Sequence, residues 1–323
     1  MQFWKAFAVI GLFLSIVSGP ESRAQEEYPN RNITLLHGFA AGGNADVFAR
    51  IIAEGLSQRL GKPVIVEARP GAGGTLASDR VAKAAPDGYT LVVLTGGHSV
   101  SGALHKSLPY KPVDDFQMIS TVGFFPFVIA VNANHRFRTL ADLIAAAKEK
   151  PDSLTYSSVG VGTTQHLAGA LLSSMTGIEM VHVPYRGGGG PINDLLGGQI
   201  DILIDSLTIT APQLAAGTIR GLAVTSPSPW FSIPNVPTVA STVPGYDVRS
   251  WLGLAGPKNM PQPIVDRLSR ELRVVLETPG VREKLEAMGN EVRGSSPDEM
   301  RTLVGSEIER WKGVISAAKI SQQ

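Results

Sequence analysis

The chain has 323 residues, 43% of them hydrophobic and 18% charged, a balance that fits one large or two medium domains with a sizeable core. Cysteine is absent, which excludes disulfides, a thiolate metal site, a cysteine nucleophile and a lipoprotein anchor. The formal charge is +1 and basic runs are missing, which argues against nucleic acid or anionic membrane as partner.

Residues 1–24 read as a secretory signal. Lys5 gives a basic start, Ala6 to Val17 is apolar or small but too short for a good membrane span, and Ser22-Arg23-Ala24 offers small residues at the two positions a signal peptidase reads. Cleavage after Ala24 removes two basic residues and one acidic residue, leaving a neutral, exported mature chain.

Ile33 to Leu36 is an apolar strand that runs into His37-Gly38-Phe39-Ala40-Ala41-Gly42-Gly43-Asn44. A helix pattern starts near Asn44, with Val47, Phe48, Ile51, Ile52 and Leu56 on one face. Strand, glycine-rich loop and helix start together aim free backbone N–H groups at one spot, where the helix adds roughly half a positive charge. The loop is therefore built to receive an anion. Val64 to Glu67 reads as a second strand, Thr75 to Ala84 as a helix, and Thr90 to Leu94 as a third strand entering Thr95-Gly96-Gly97-His98-Ser99. This alternation argues a mostly parallel sheet flanked by helices, with ligands beyond the carboxyl ends of its strands.

The pattern restarts after a proline-spaced stretch at 109–126. Phe127 to Val131 reads as a strand, and Thr139 caps a helix over 140–149 with Asp142 three residues on. Leu154 to Ser157 is a strand leading to Gly160-Val161-Gly162-Thr163-Thr164-Gln165-His166 and another helix. Met180 to Val183, Ile202 to Ile204 and Gly221 to Val224 are short strands, and residues 225–262 read as an irregular return. Two helical patterns close the chain, the last opened by the capping box Ser296-Pro297-Asp298-Glu299. Two such α/β units imply two lobes facing a cleft.

The glycine clusters at 71–74, 160–162 and 187–190 lack the small sixth residue of a dinucleotide fingerprint and read as turns. Leu36-His37-Gly38 resembles a hydrolase oxyanion loop. The matching nucleophile elbow would be Gly97-His98-Ser99-Val100-Ser101, but its closing glycine comes one residue late, at 102. A secreted serine hydrolase using Ser99 is therefore the alternative reading. The six histidines show no metal-ligand spacing, so neither metal nor cofactor is expected. His98 and His166 fall on cleft-edge loops as candidate ligand contacts. Asp205, at a strand's carboxyl end, either accepts from a ligand or braces a loop.

Several segments carry a resemblance when taken in order. They are Phe39-Ala40-Ala41-Gly42-Gly43 with Asp46, Arg69-Pro70-Gly71-Ala72-Gly73-Gly74, Ala85-Pro86-Asp87-Gly88-Tyr89-Thr90, and Val181-His182-Val183-Pro184-Tyr185-Arg186-Gly187. Leu108-Pro109-Tyr110, His166-Leu167-Ala168-Gly169, Asp194-Leu195-Leu196-Gly197-Gly198 and Leu222-Ala223-Val224-Thr225 extend it. From about Tyr28 onward the chain resembles the Bug family, the TctC-like extracytoplasmic solute receptors of tripartite tricarboxylate transporters.

The resemblance implies a two-lobed, type II periplasmic-binding fold, with residues 25–125 plus 249–323 in lobe 1 and 126–248 in lobe 2. It implies a monomeric, non-enzymatic receptor in the periplasm that holds a small carboxylate and serves membrane permease subunits or a sensor. Phe39, Ala40, Ala41, Gly42, Gly43 and Asn44 would take one carboxylate. Gly162, Thr163 and Thr164 would add contacts from the second lobe, Thr95 to His98 would close the pocket, and Asp205 would lie near the ligand's far end. The family pattern has proline at Ala40, a hydroxyl residue at Ala45 and an apolar-proline pair at His37-Gly38.

Overall fold

The computed structural model describes residues 28–322; the leader expected at 1–24 lies outside them. In chain order the elements are β1 (Ile33–His37), α1 (Asn44–Leu60), β2 (Val64–Ala68), α2 (Thr75–Ala82), β3 (Thr90–Thr95) and α3 (Gly96–Leu104). Next come β4 (Phe116–Asn132), α4 (Leu140–Glu149), β5 (Thr155–Ser158), α5 (Thr164–Thr176), β6 (Val181–Pro184), α6 (Gly190–Leu196), β7 (Leu203–Ser206), α7 (Leu207–Ala215) and β8 (Ile219–Val224). The chain finishes with β9 (Arg249–Pro257), α8 (Gln262–Glu277), α9 (Pro279–Ala287), β10 (Glu291–Val292) and α10 (Pro297–Ala317). Among the described residues no helix is long and apolar enough to cross a membrane.

The local code explains the regular pieces. In α1 the buried stripe Ala45, Phe48, Ala49, Ile52, Ala53, Leu56 follows the helical period, and Gly61 ends it in the left-handed region with its N–H on the Ser57 carbonyl. The expected capping boxes at Thr139–Asp142 and Ser296–Glu299 both form. They are legible because a cap needs only residues three apart.

One lobe is a sheet in the order β10-β4-β9-β3-β1-β2, with β1 parallel to both β2 and β3. The other is built on β7 and β8, which pair antiparallel with the far half of β4, beside the parallel pair β5–β6. The strand β4 therefore belongs to both lobes. It pairs with β9 from Phe116 to Pro126, and from Phe127 its partners are β7 and then β8. Pro126, lacking an N–H, stands where the ladder changes hands. The chain returns beside this crossing, where the Val248 N–H donates to the Thr225 carbonyl at 2.9 Å just before β9 begins.

Two sequence expectations change here. The strand expected from Phe127 starts within the proline-spaced stretch 109–126, because β4 begins at Phe116 and runs 17 residues. Likewise 225–262 contains β9, a central strand buried on both faces. Both strands lack alternation because both of their faces are covered, so no period-2 signal marks them. β9 lies antiparallel between β3 and β4, and β4 runs on antiparallel to β7 and β8, so the sheet as a whole is mixed.

Candidate functional site

The lobes meet over a cavity that both of them line. Four helix starts reach it: Gly43, Asn44 and Ala45 of α1, Thr95 and Gly97 of α3, Thr163, Thr164 and Gln165 of α5, and Asp205 and Ser206 before α7. Each follows a strand's carboxyl end, so each turns its first-turn amides and partial positive charge toward the gap. Among the described residues, none takes a hydrogen bond from the amides of Gly43, Asn44, Ala45, Thr164 or Gln165. Among the described residues Asp205 is the only ionisable side chain lining the cavity. An anion placed here would meet main-chain dipoles rather than arginine or lysine.

Of the residues expected at the site, Phe39, Gly43, Asn44, Thr95, Gly97, Thr163, Thr164 and Asp205 line this cavity. The others stand back from it, each for a visible reason. Ala40 gives its N–H to the Arg186 carbonyl of the opposite lobe at 2.8 Å. The Ala41 carbonyl lies against Gly188 of that lobe, and Gly42 gives its N–H to Asp46 Oδ2 at 2.9 Å. This half of the loop therefore braces the fold and closes the lobes, while Gly43 to Ala45 face the gap. Gly162 gives its N–H to His166 Nδ1 at 3.4 Å and accepts from Ser101 Oγ, across the lobes, at 3.2 Å.

His166 is a correction: its ring stacks on His182 at 4.3 Å and serves the loop behind the cavity. His98 is a second. Only 5% exposed, it donates from Nε2 to the Pro112 carbonyl at 2.9 Å and stacks on Tyr110. His98 is the third residue of α3, and its ring is held within its own lobe by Pro112 and Tyr110.

Burial lowers the His98 pKa to about 4, although its bond to the Pro112 carbonyl works in the opposite sense. The unfolded chain protonates this ring near 6.5 while the folded chain does not. Its contribution to stability is complete above that value and falls, by about 1.4 kcal/mol per pH unit, as pH drops from there toward 4. Burial lowers His166 and His182 to about 4 as well, in the same direction. Thermal stability is expected to fall steadily from about pH 7 to about pH 5, and His98→Gln to flatten that dependence in part. An unchanged slope in the variant would contradict the neutral, buried His98.

Behind the first loop, Asp46 joins His37, Arg50 and Gly42. His37 donates from Nε2 to Asp46 Oδ1 at 3.1 Å, and Arg50 grips both carboxylate oxygens. Burial opposes the Asp46 charge, but the bonds from Arg50 and the Gly42 N–H outweigh it and hold the carboxyl below its usual range. This network fixes the loop's shape without reaching the cavity.

Asp205 is 4% exposed. Its Oδ1 accepts from the Ser206 N–H at 2.7 Å, the Ser206 hydroxyl at 3.4 Å and Gln165 Nε2 at 3.3 Å. Burial raises its pKa to about 7 against those bonds. No described residue bonds Oδ2, and Asp205 is among the residues lining the cavity.

Sequence reasoning missed Phe125, Phe127, Gly188, Ser206, Ile209 and Ser250, which also line the cavity. Phe125 and Phe127 lie two apart on β4, so both face the gap at the crossing. That spacing was the available signal. Lobe closure is explicit: Thr208 Oγ1 donates to Asn44 Oδ1 at 2.6 Å from one lobe to the other.

The hydrolase alternative fails on geometry. Ser99 is fully buried, and its hydroxyl donates to the Val304 carbonyl of α10 at 3.2 Å. No substrate reaches it, and the adjacent His98 is committed elsewhere. Among the described residues no three His, Asp or Glu side chains gather as a metal site.

Comparison with known proteins agrees with this geometry. Residues 48–320 match the pattern described as "Tripartite tricarboxylate transporter family receptor". A UPF0065 protein in the tcbD-tcbE intergenic region of Pseudomonas sp. (strain P51) is 37% identical over 309 residues, spanning 94% of this chain and 92% of that one. Two solved structures superpose with a TM-score of 0.88. One is an R. palustris protein with adipate, 35% identical, covering 91% of this chain and 99% of its own. The other is the periplasmic binding protein BugD, 32% identical, covering 92% and 100%. The matched family is one of solute-binding receptors, not enzymes, and the two-lobed α/β fold with its cleft is the form such receptors take. On the family match and this similarity, the chain belongs to the tripartite tricarboxylate transporter family receptors.

Proposed function

We propose that the chain is a periplasmic receptor that captures a small organic carboxylate between its lobes, closes on it, and presents it to membrane permease subunits or a sensor. The observation that carries this reading is the set of unbonded first-turn amides of α1 and α5 facing one cavity without a cationic side chain. Binding need only favour the closed arrangement for the receptor to signal its loaded state.

The reading has three further parts. Lobe 1 comprises 25–125 and 249–323 and lobe 2 comprises 126–248, supported by the exchange of partners on β4 after Pro126 and by the start of β9 at Arg249. Phe39, Gly43, Asn44, Thr163 and Thr164 contact the ligand, with Thr95 and Gly97 beside it. The leader is cleaved after Ala24, and the mature receptor works as a monomer.

The test is a thermal-shift panel of carboxylates on the mature chain after unfolding and refolding, which clears any acid carried through purification. Adipate, the acid bound by the R. palustris relative, belongs on the panel. An acid present at about a hundred times its dissociation constant adds about 2.7 kcal/mol of stability and raises Tm by several degrees. A refolded chain that no carboxylate stabilises would refute the reading.

A further inference from the structure

An acid held in this cleft, on the carboxylate-receptor reading on which this inference rests, shares the cavity with the Asp205 carboxyl. The two oxygens of that carboxyl are not alike. Oδ1 already accepts from the Ser206 N–H, the Ser206 hydroxyl and Gln165 Nε2, while Oδ2 bonds to no described residue. A proton on this carboxyl therefore belongs on Oδ2, because Oδ1 faces three donors.

Gln165 ties Asp205 to the amide cradle. Its own N–H is one of the open first-turn amides of α5, and its Nε2 reaches Asp205 Oδ1 at 3.3 Å. An acid on those amides thus lies a single side chain's length from Asp205, with no arginine or lysine among the described lining residues to share the charge. Two carboxylates so placed do not both stay ionised. The amides favour the charge on the ligand, so the proton goes to Asp205. Its Oδ2–H then donates to the acid, and a buried oxygen gains the partner that the protein does not supply.

Burial already lifts the Asp205 carboxyl to about 7 against the bonds from Ser206 and Gln165, before any ligand charge is added. The elements packed most closely against β7 are β4, β5, α5, α6 and α7. Their titratable groups are Tyr156, His166 and Asp194; β4 and α7 carry none. Burial raises Tyr156 and lowers His166 to about 4, and Asp194 accepts from the Tyr185 hydroxyl at 2.5 Å. All six histidines are pushed below 6.5 by burial, so none of them changes charge above neutral pH.

We propose that the receptor binds its acid together with one proton, which Asp205 Oδ2 takes from solvent and donates to the bound carboxylate. Below about pH 7 the carboxyl holds that proton beforehand and affinity is flat. Above it, each acid bound draws a proton from solvent, and affinity falls as pH rises.

Calorimetric titration of the refolded mature chain tests this with propionate, benzoate, succinate and adipate, all fully ionised above neutral pH. For the tightest binder, affinity is expected to fall at least about tenfold from about pH 7 to about pH 9. In two buffers of different ionisation enthalpy at about pH 8, binding should take up at least about half a proton per acid. Asp205→Asn carries a permanent N–H donor where Oδ2 stood, so proton uptake should vanish and the fall should shrink to less than about twofold. A structural role for Asp205 would instead change affinity by the same factor at every pH, and that result overturns the proposal. So does a wild-type chain that binds an acid without taking up a proton, which leaves the carboxylate reading intact. If no acid binds the wild-type chain, the carboxylate reading falls and takes this inference with it. Should Asp205→Asn fail to fold, the wild-type proton count decides alone.

Discussion

Gly43→Asp is expected to abolish carboxylate binding while leaving the fold intact. Gly43 has φ −81°, an ordinary value for any residue, so an aspartate meets no backbone strain there. Its effect falls on the gap between the lobes. The new carboxylate lies among the amides of Gly43, Asn44 and Ala45 and satisfies them from within. It also meets the ligand's charge, and two like charges about 4 Å apart repel by roughly 4 kcal/mol at an effective dielectric of about 20. The added Cβ is only 3.1 Å from the Gly188 nitrogen of the facing lobe, so closure is crowded as well. A loss of affinity of about a hundredfold or more follows, measured by titration with the most stabilising acid of the panel. Circular dichroism should match the parent. Affinity within a few-fold of the parent would remove the first loop from the site.

Gly188→Val should hold the lobes apart. Gly188 has φ +72°, and a Cβ there would lie 2.8 Å from the Ala41 carbonyl oxygen of the opposite lobe. Neither backbone has a flexible side-chain end to yield, so the lobes must separate. A ligand that needs the closed arrangement then binds in proportion to how seldom that arrangement occurs, and an affinity loss of at least about thirtyfold is expected. A matched control separates closure from strain. Gly198 has φ +70° with open space where its Cβ would go, so Gly198→Val carries the same backbone cost of about 1–2 kcal/mol without the collision. Small-angle scattering should show Gly188→Val expanded and insensitive to ligand, and Gly198→Val contracting like the parent. Equal behaviour of the two would show that this contact does not gate closure.

The first β-to-α junction, the helix start at Thr163–Thr164 and the capping boxes could all be read directly from the chain. Each depends on residues a few positions apart: a strand, a glycine turn and a helix start suffice to aim amides at one point. By the same local logic Asp205 was placed at a strand end. The reading failed where a role depended on distant partners. Nothing near His98 announces Pro112 or Tyr110, and nothing near Ala40 announces the Arg186 carbonyl that takes its N–H. His166 reads as a loop histidine until His182 arrives from another strand to stack on it.

The sequence by itself determined the fold class, the family resemblance and the location of the amide cradle, because periodicity, glycine placement and helix caps are local properties of the chain. Tertiary structure alone decided which amides of that cradle remain open, which lobe contacts shut the cleft, and that Phe125, Phe127 and Asp205 share one cavity. Those outcomes turn on β4 and β9, two strands covered on both faces that carry no alternating signal yet set the two lobes against each other. Hydrogen-bond partners across such a junction are selected by geometry in space, and the order of residues along the chain does not encode them one neighbour at a time.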